Sequence, residues 1–98
     1  MIYHVVSKAN WQSAVEQGYY EAPSLASEGF IHLSKKEQVS GVLDRYYKAV
    51  PDLLLLHVDE SKLTAILKYE NAPSVNEDFP HLFGRLNIDA VVETSEIS

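Results

Sequence analysis

Apolar positions fall into short dense runs separated by helix-length amphipathic stretches. Ile2-Tyr3-His4-Val5-Val6 is β-branched and aromatic, which predicts a first strand. Ser7 follows as an N-cap, and Trp11, Ala14 and Val15 share one face of a helix over Lys8–Gln17 that Gly18 stops. Residues 19–27, with Pro23, Ser24 and Ser27, read as a connection, and Phe30–Leu33 as a second strand. Ser34-Lys35-Lys36-Glu37 reads as a capping box that opens a second helix. That helix runs to about Val50 on a stripe of Val39, Val42, Leu43, Tyr46 and Val50, and Pro51-Asp52 ends it.

Leu53–Val58 has no polar alternation, which predicts a strand buried on both faces. Asp59–Leu63 reads as a turn or a single helical turn, Ala65–Tyr69 as another strand and residues 70–78 as a polar loop. Phe79-Pro80-His81-Leu82-Phe83-Gly84 reads as an irregular aromatic segment, and Ile88–Glu93 as a last strand. The order β-α-β-α-β-β-β predicts one small domain over residues 1–98, an α/β (α+β) fold with one mixed sheet and two main helices.

Composition narrows the function more than the fold. Eight basic residues stand against 14 acidic ones, and Lys35-Lys36 is the only adjacent basic pair. A basic stripe of the kind that holds a polyphosphate backbone is missing, which argues against DNA, stable RNA and anionic membranes as partners. A small phosphorylated ligand needs only a few donors and fits this balance. With no cysteine, disulfides and thiolate-ligated metals are excluded. Met1-Ile2-Tyr3-His4 lacks the basic start and apolar stretch of a secretory signal, so a cytoplasmic setting is expected.

The four histidines carry most of the candidate chemistry. His4 and His32 lie within stiff strand-like runs, where a reactive group keeps its geometry. The bland alternative for His4 is a half-buried ring bonded to main chain. His32 shares a strand face with Phe30 and Ser34, and the helix start beside Ser34 offers N–H groups to a phosphate. His57 is paired in expectation with Asp59, as a structural couple. His81 lies among aromatics that fold back over the core, or over a flat ligand ring between Phe83, Tyr19 and Tyr20. Arg85 is a candidate partner for carboxylate or phosphate. No two histidines have metal-ligand spacing, and no nucleophile elbow, P-loop or Gly-x-Gly-x-x-Gly motif occurs, so no metal is expected.

Several segments together carry a family likeness. They are Tyr3-His4-Val5-Val6, Trp11 and Ala14, Gly18-Tyr19-Tyr20, Glu28-Gly29-Phe30-Ile31-His32-Leu33-Ser34, Gln38-Val39, Phe79-Pro80-His81-Leu82-Phe83-Gly84 and Leu86–Val92. Over essentially its whole length the chain resembles the bacterial domain of unknown function 952. That family's fold is in turn similar to the ADP-ribosyltransferase and RNA 2′-phosphotransferase group, a split sheet that grips NAD. The resemblance implies an NAD- or ADP-ribose-type nucleotide as ligand, with transfer or hydrolysis at the nicotinamide ribose. Taken with the residue reading above, His4, His32 and His81 are the catalytic candidates, and Tyr3, His4, Phe30, His32, Ser34, Phe83 and Arg85 the expected ligand contacts, with His81 and Phe83 closing over the base. His4 matches the first-strand histidine on the ribose or pyrophosphate, and His32 matches the phosphotransferase His-Val-His-Leu-Ser strand. Val5 departs from the glycine at which nicotinamide approaches the first strand, and only Arg45 and Arg85 are available for phosphate. Glu70 and Glu93 are the candidates for the transferase glutamate. The alternative is a non-catalytic binding or accessory domain that kept the fold, and a third reading is an obligate oligomer whose aromatics form an interface; a monomer or homodimer is expected.

Overall fold

The computed structural model describes residues 1–97. Strand β1 (Ile2–Ser7) leads directly into helix α1 (Lys8–Gln17). Ser7 Oγ accepts the Asn10 N–H at 3.1 Å, and Gly18 takes the left-handed conformation (φ 94°) that lets its N–H close on Ala14. Both helix ends are therefore set by neighbouring residues, as expected.

β1 is one edge of an antiparallel sheet whose centre is β4 (Leu53–Val58) and whose other edge is β8 (Val91–Glu96). Its register pairs Ile2 with Val58, His4 with Leu56 and Val6 with Leu54, which puts all six on one face. A second antiparallel sheet has the order β3 (Ile31–His32), β6 (Glu77–Phe83), β5 (Ile66–Ala72). A small third pair joins β2 (Tyr19–Tyr20) to β7 (Leu86–Asn87). Tyr3 and Ser34 exchange backbone N–H···O bonds of 2.8 Å, and this bridge ties the first sheet to the second. One apolar cluster spans the joint, with Ile2, Leu56 and Val58 on one side, Ile31, Leu33 and Leu82 on the other, and Tyr20 and Leu86 alongside.

The molecule is an α+β domain with a split sheet, and every pairing among the described residues is antiparallel. Helix α2 (Pro23–Glu28) occupies the expected connection, with Pro23 in its first turn and Gly29 (φ 89°) at its stop. Ser34 is not a cap. Its backbone is spent on Tyr3, and the Gln38 side chain accepts the Lys35 N–H at 2.9 Å in its place. A 3-10 turn over Lys36–Gln38 then precedes α3 (Val39–Tyr46), which ends four residues before Val50. The polar loop and irregular segment expected after Tyr69 are instead the β5–β6 hairpin. Pro80 misled the expectation, because it lacks an N–H. Its carbonyl nevertheless accepts the Leu33 N–H at 3.0 Å. The last strand starts at Val91 because Ile88–Ala90 form a 3-10 turn. On β4 only Leu53, Leu56 and Val58 are fully buried, so its second face is less covered than expected. No helix among the described residues is long and apolar enough to cross a membrane.

Candidate functional site

His4 points from β1 into the joint between the sheets and is almost wholly buried. Its Nδ1 lies 2.6 Å from the His32 carbonyl and its Nε2 2.8 Å from the Tyr20 hydroxyl. A carbonyl only accepts, so Nδ1 carries the proton and donates, which leaves Nε2 to accept from Tyr20 O–H. Burial pushes the imidazole down to about 4, so the ring stays neutral, while the bond to the His32 carbonyl opposes that shift. Burial likewise raises the Tyr20 phenol, which holds its proton for this bond. Both ring nitrogens are thus committed within the protein. The expected contact of His4 with ribose or pyrophosphate is corrected on that ground: His4 fastens the wall of the site and has no nitrogen left for a ligand.

His32 and His81 are cross-strand partners on β3 and β6, with ring centroids 5.3 Å apart in an edge-to-face arrangement. Each is backed by a carboxylate. Glu28 Oε2, at the end of α2, lies 3.1 Å from His32 Nε2, and Glu70 Oε1, on β5, lies 2.7 Å from His81 Nδ1. The carboxylates accept, so each ring in its neutral form keeps its other nitrogen, His32 Nδ1 and His81 Nε2, as an acceptor. Phe30 stacks on His81 at 4.1 Å and tilts against His32 at 4.8 Å, and Phe83 packs behind it at 5.3 Å.

These three histidines border one cavity of about 780 Å³, with Ser34, Glu28 and Tyr20 among its other walls. Its volume falls in the range of small-molecule sites. The remaining expected contacts lie elsewhere. Tyr3 is turned away from the cavity onto His57, ring centroids 5.0 Å apart. Phe30 and Phe83 support the histidines from outside the lining. Arg85 lies 3.8 Å over the Tyr19 ring and 3.0 Å from Glu21, which removes it and Tyr19 from the site. His57 pairs with Ser95 Oγ at 2.7 Å, because Asp59 caps its own turn through Ser61. Of the two candidate glutamates, Glu70 holds His81, while Glu93 sits opposite His57 on β8 and does not border the cavity. No group of three or more His, Asp or Glu side chains among the described residues is arranged to hold a metal ion.

The sequence reading gave Glu28 and Gln38 no role in the site, set Tyr20 against a ligand ring and not against His4, and left Arg45 as one of two arginines available for phosphate. Tyr20 and Glu28 lie one short element away from the histidines they serve, with nothing in their local pattern to mark them. Gln38 is buried and sends Nε2 to the Asp78 carbonyl (2.9 Å) and to Glu77 (3.2 Å), so it ties the start of α3 to β6. Arg45, on α3, borders the same cavity.

The family model for a protein of unknown function, DUF952, matches residues 5–94. The chain belongs to that family. Crystal structures of protein CC0527 from Caulobacter crescentus, a structural genomics target, share its architecture. The unmutated CC0527 is 32% identical with a TM-score of 0.90, covering 99% of this chain and 85% of that one. A double mutant of CC0527 is 31% identical with a TM-score of 0.89 over the same shares. The solution NMR structure of CC0527 is 32% identical with a TM-score of 0.85, covering 99% and 84%. Curated proteins offer no match to this DUF952 chain.

Proposed function

We propose that the cavity takes an NAD- or ADP-ribose-type nucleotide and that His32 and His81 are the residues that touch its ribose. The observation that carries this reading is the pair of imidazoles 5.3 Å apart, each hydrogen-bonded to a glutamate and each bordering the same 780 Å³ hollow. A glutamate behind a histidine sets its tautomer and steadies the cation that forms if the ring takes a proton. Two acceptor nitrogens side by side suit hydroxyl groups better than phosphates, because Glu28 and Glu70 make this end of the cavity negative. His32 therefore serves the ribose and not the diphosphate. In hydrolysis at the nicotinamide ribose, water's oxygen bonds to the ribose carbon, its proton goes to an imidazole nitrogen, and the bond to nicotinamide breaks to release the base.

The test is a thermal melt. NAD or ADP-ribose is expected to raise the melting temperature of the full chain, and His32→Ala is expected to abolish the rise. No shift at about millimolar ligand, a concentration that still detects weak sites, overturns the reading.

A second reading, binding without turnover, is favoured by one observation: His4 is neutral and has both nitrogens engaged, so the first strand supplies no catalytic group. Incubation with NAD followed by chromatography separates the two. Free nicotinamide in wild type but not in His81→Ala supports catalysis, and intact NAD bound to the protein supports the accessory role.

A further inference from the structure

Helix α3 carries an apolar stripe, yet none of its residues is buried. Its Val42 and Tyr46, with Tyr47 just beyond its end, border the cavity instead. Past the Tyr3–Ser34 bridge no strand among the described residues pairs with the outer edge of β1, and there the cavity meets Val5 and Leu53, which point to the opposite face from His4. Val5 and Leu53 are only 7% and 3% exposed and form an apolar floor, while Tyr46 on the same lining stands open to solvent. Arg45 is the one Lys or Arg side chain on the lining, and no ion pair holds it among the described residues. Its guanidinium folds back over Gly41, where a Cβ would stand 3.1 Å from Nη1, and lies 5.8 Å from the Tyr46 ring centre. Arg85, by contrast, is neutralised by Glu21.

We infer that α3 forms a second subsite of this cavity, in which Arg45 holds a phosphate and Val42, Tyr46 and Tyr47 hold a planar heteroaromatic base against Val5 and Leu53. The occupant is the base-and-phosphate end of the same ligand whose ribose meets His32 and His81, so the inference rests on that reading. Continuity of one hollow from the histidines to α3 argues for one ligand spanning both ends. Charge argues for its direction: the glutamates behind the histidines repel phosphate, and Arg45, the one Lys or Arg on the lining, attracts it. Tyrosine rings accept any planar base, because stacking is indifferent to the pattern of donors and acceptors.

Calorimetric titration of the full chain with AMP, adenosine and ADP-ribose tests this. Arg45 and Tyr46 are both exposed, so Arg45→Gln and Tyr46→Ala are expected to keep the unliganded melting temperature. Arg45→Gln is expected to weaken AMP and ADP-ribose by about tenfold, the worth of one charge-assisted contact, and to leave adenosine within a factor of about two. Tyr46→Ala is expected to weaken adenosine and AMP alike by about fivefold or more. Wild-type affinity for ADP-ribose in both variants overturns the inference and leaves the nucleotide reading standing. Wild type that binds neither ADP-ribose nor AMP overturns both.

Discussion

The bonding of His4 has a consequence for pH. Its folded value lies near 4 against 6.5 in an unconstrained chain, because burial penalises the cation. Between these two values the unfolded chain takes up a proton that the native ring refuses. Stability from this group is therefore complete above pH 6.5, falls as pH drops through the window, and is spent by about 4. The shift amounts to roughly 3 kcal/mol at most. In a histidine NMR titration, the His4 ring is expected to stay in its neutral Nδ1–H form down to about pH 4. A midpoint near 6.5 refutes the burial argument. Sequence made one part of this visible: a histidine among Ile2, Tyr3, Val5 and Val6 had to be stiffly held, and bonding to main chain was one of its two readings. It could not show that Tyr20, 16 residues later, supplies the second bond, because that contact exists only once β2 packs beside β1. The same holds for Glu28 and Glu70, whose charges acquire meaning only beside the rings they fix.

Among the elements, α3 is the one whose position decides the shape of the cavity. Few apolar contacts hold it, so its anchor is the buried Gln38 amide, bonded to Lys35 N–H, Asp78 C=O and Glu77. Gln38→Ala leaves these partners unmet and is expected to cost about 2 kcal/mol in urea denaturation. Hydrogen exchange in α3 is expected to speed up beyond that global loss, since the helix is released from β6. Uniform acceleration over the whole chain would show that Gln38 stabilises the core and not the helix. Legibility follows the same line between local and distant causes. Both ends of α1 were readable because Ser7 and Gly18 act on atoms within four residues. The β5–β6 hairpin was not, because Pro80 and the aromatics around it look irregular until β3 and β5 pair on either side. The C-terminal part of the expected second helix failed for a related reason: the Val50 stripe position is apolar, but beyond Tyr46 the chain turns away, with Ala49 at φ 63°.

At the scale of the molecule, two sheets meet at a joint made of the Tyr3–Ser34 bridge, the His4 bond to the His32 carbonyl and a shared apolar cluster. The cavity opens at that joint, with His4 from one sheet and His32 and His81 from the other. A ligand there touches both halves, so its binding energy should act on the whole fold and not on a loop. Trp11 reports the joint directly, since it packs 6.5 Å from Tyr20, the partner of His4. Trp11 fluorescence and far-UV dichroism are therefore expected to share one midpoint without ligand, as for a single cooperative unit. Ligand at about a hundred times its dissociation constant is expected to move both midpoints together, by the equivalent of about 2.7 kcal/mol. Were the fluorescence transition to come first and shift alone, the sheets would be separable, and a site built across them would have no rigid frame to bind against.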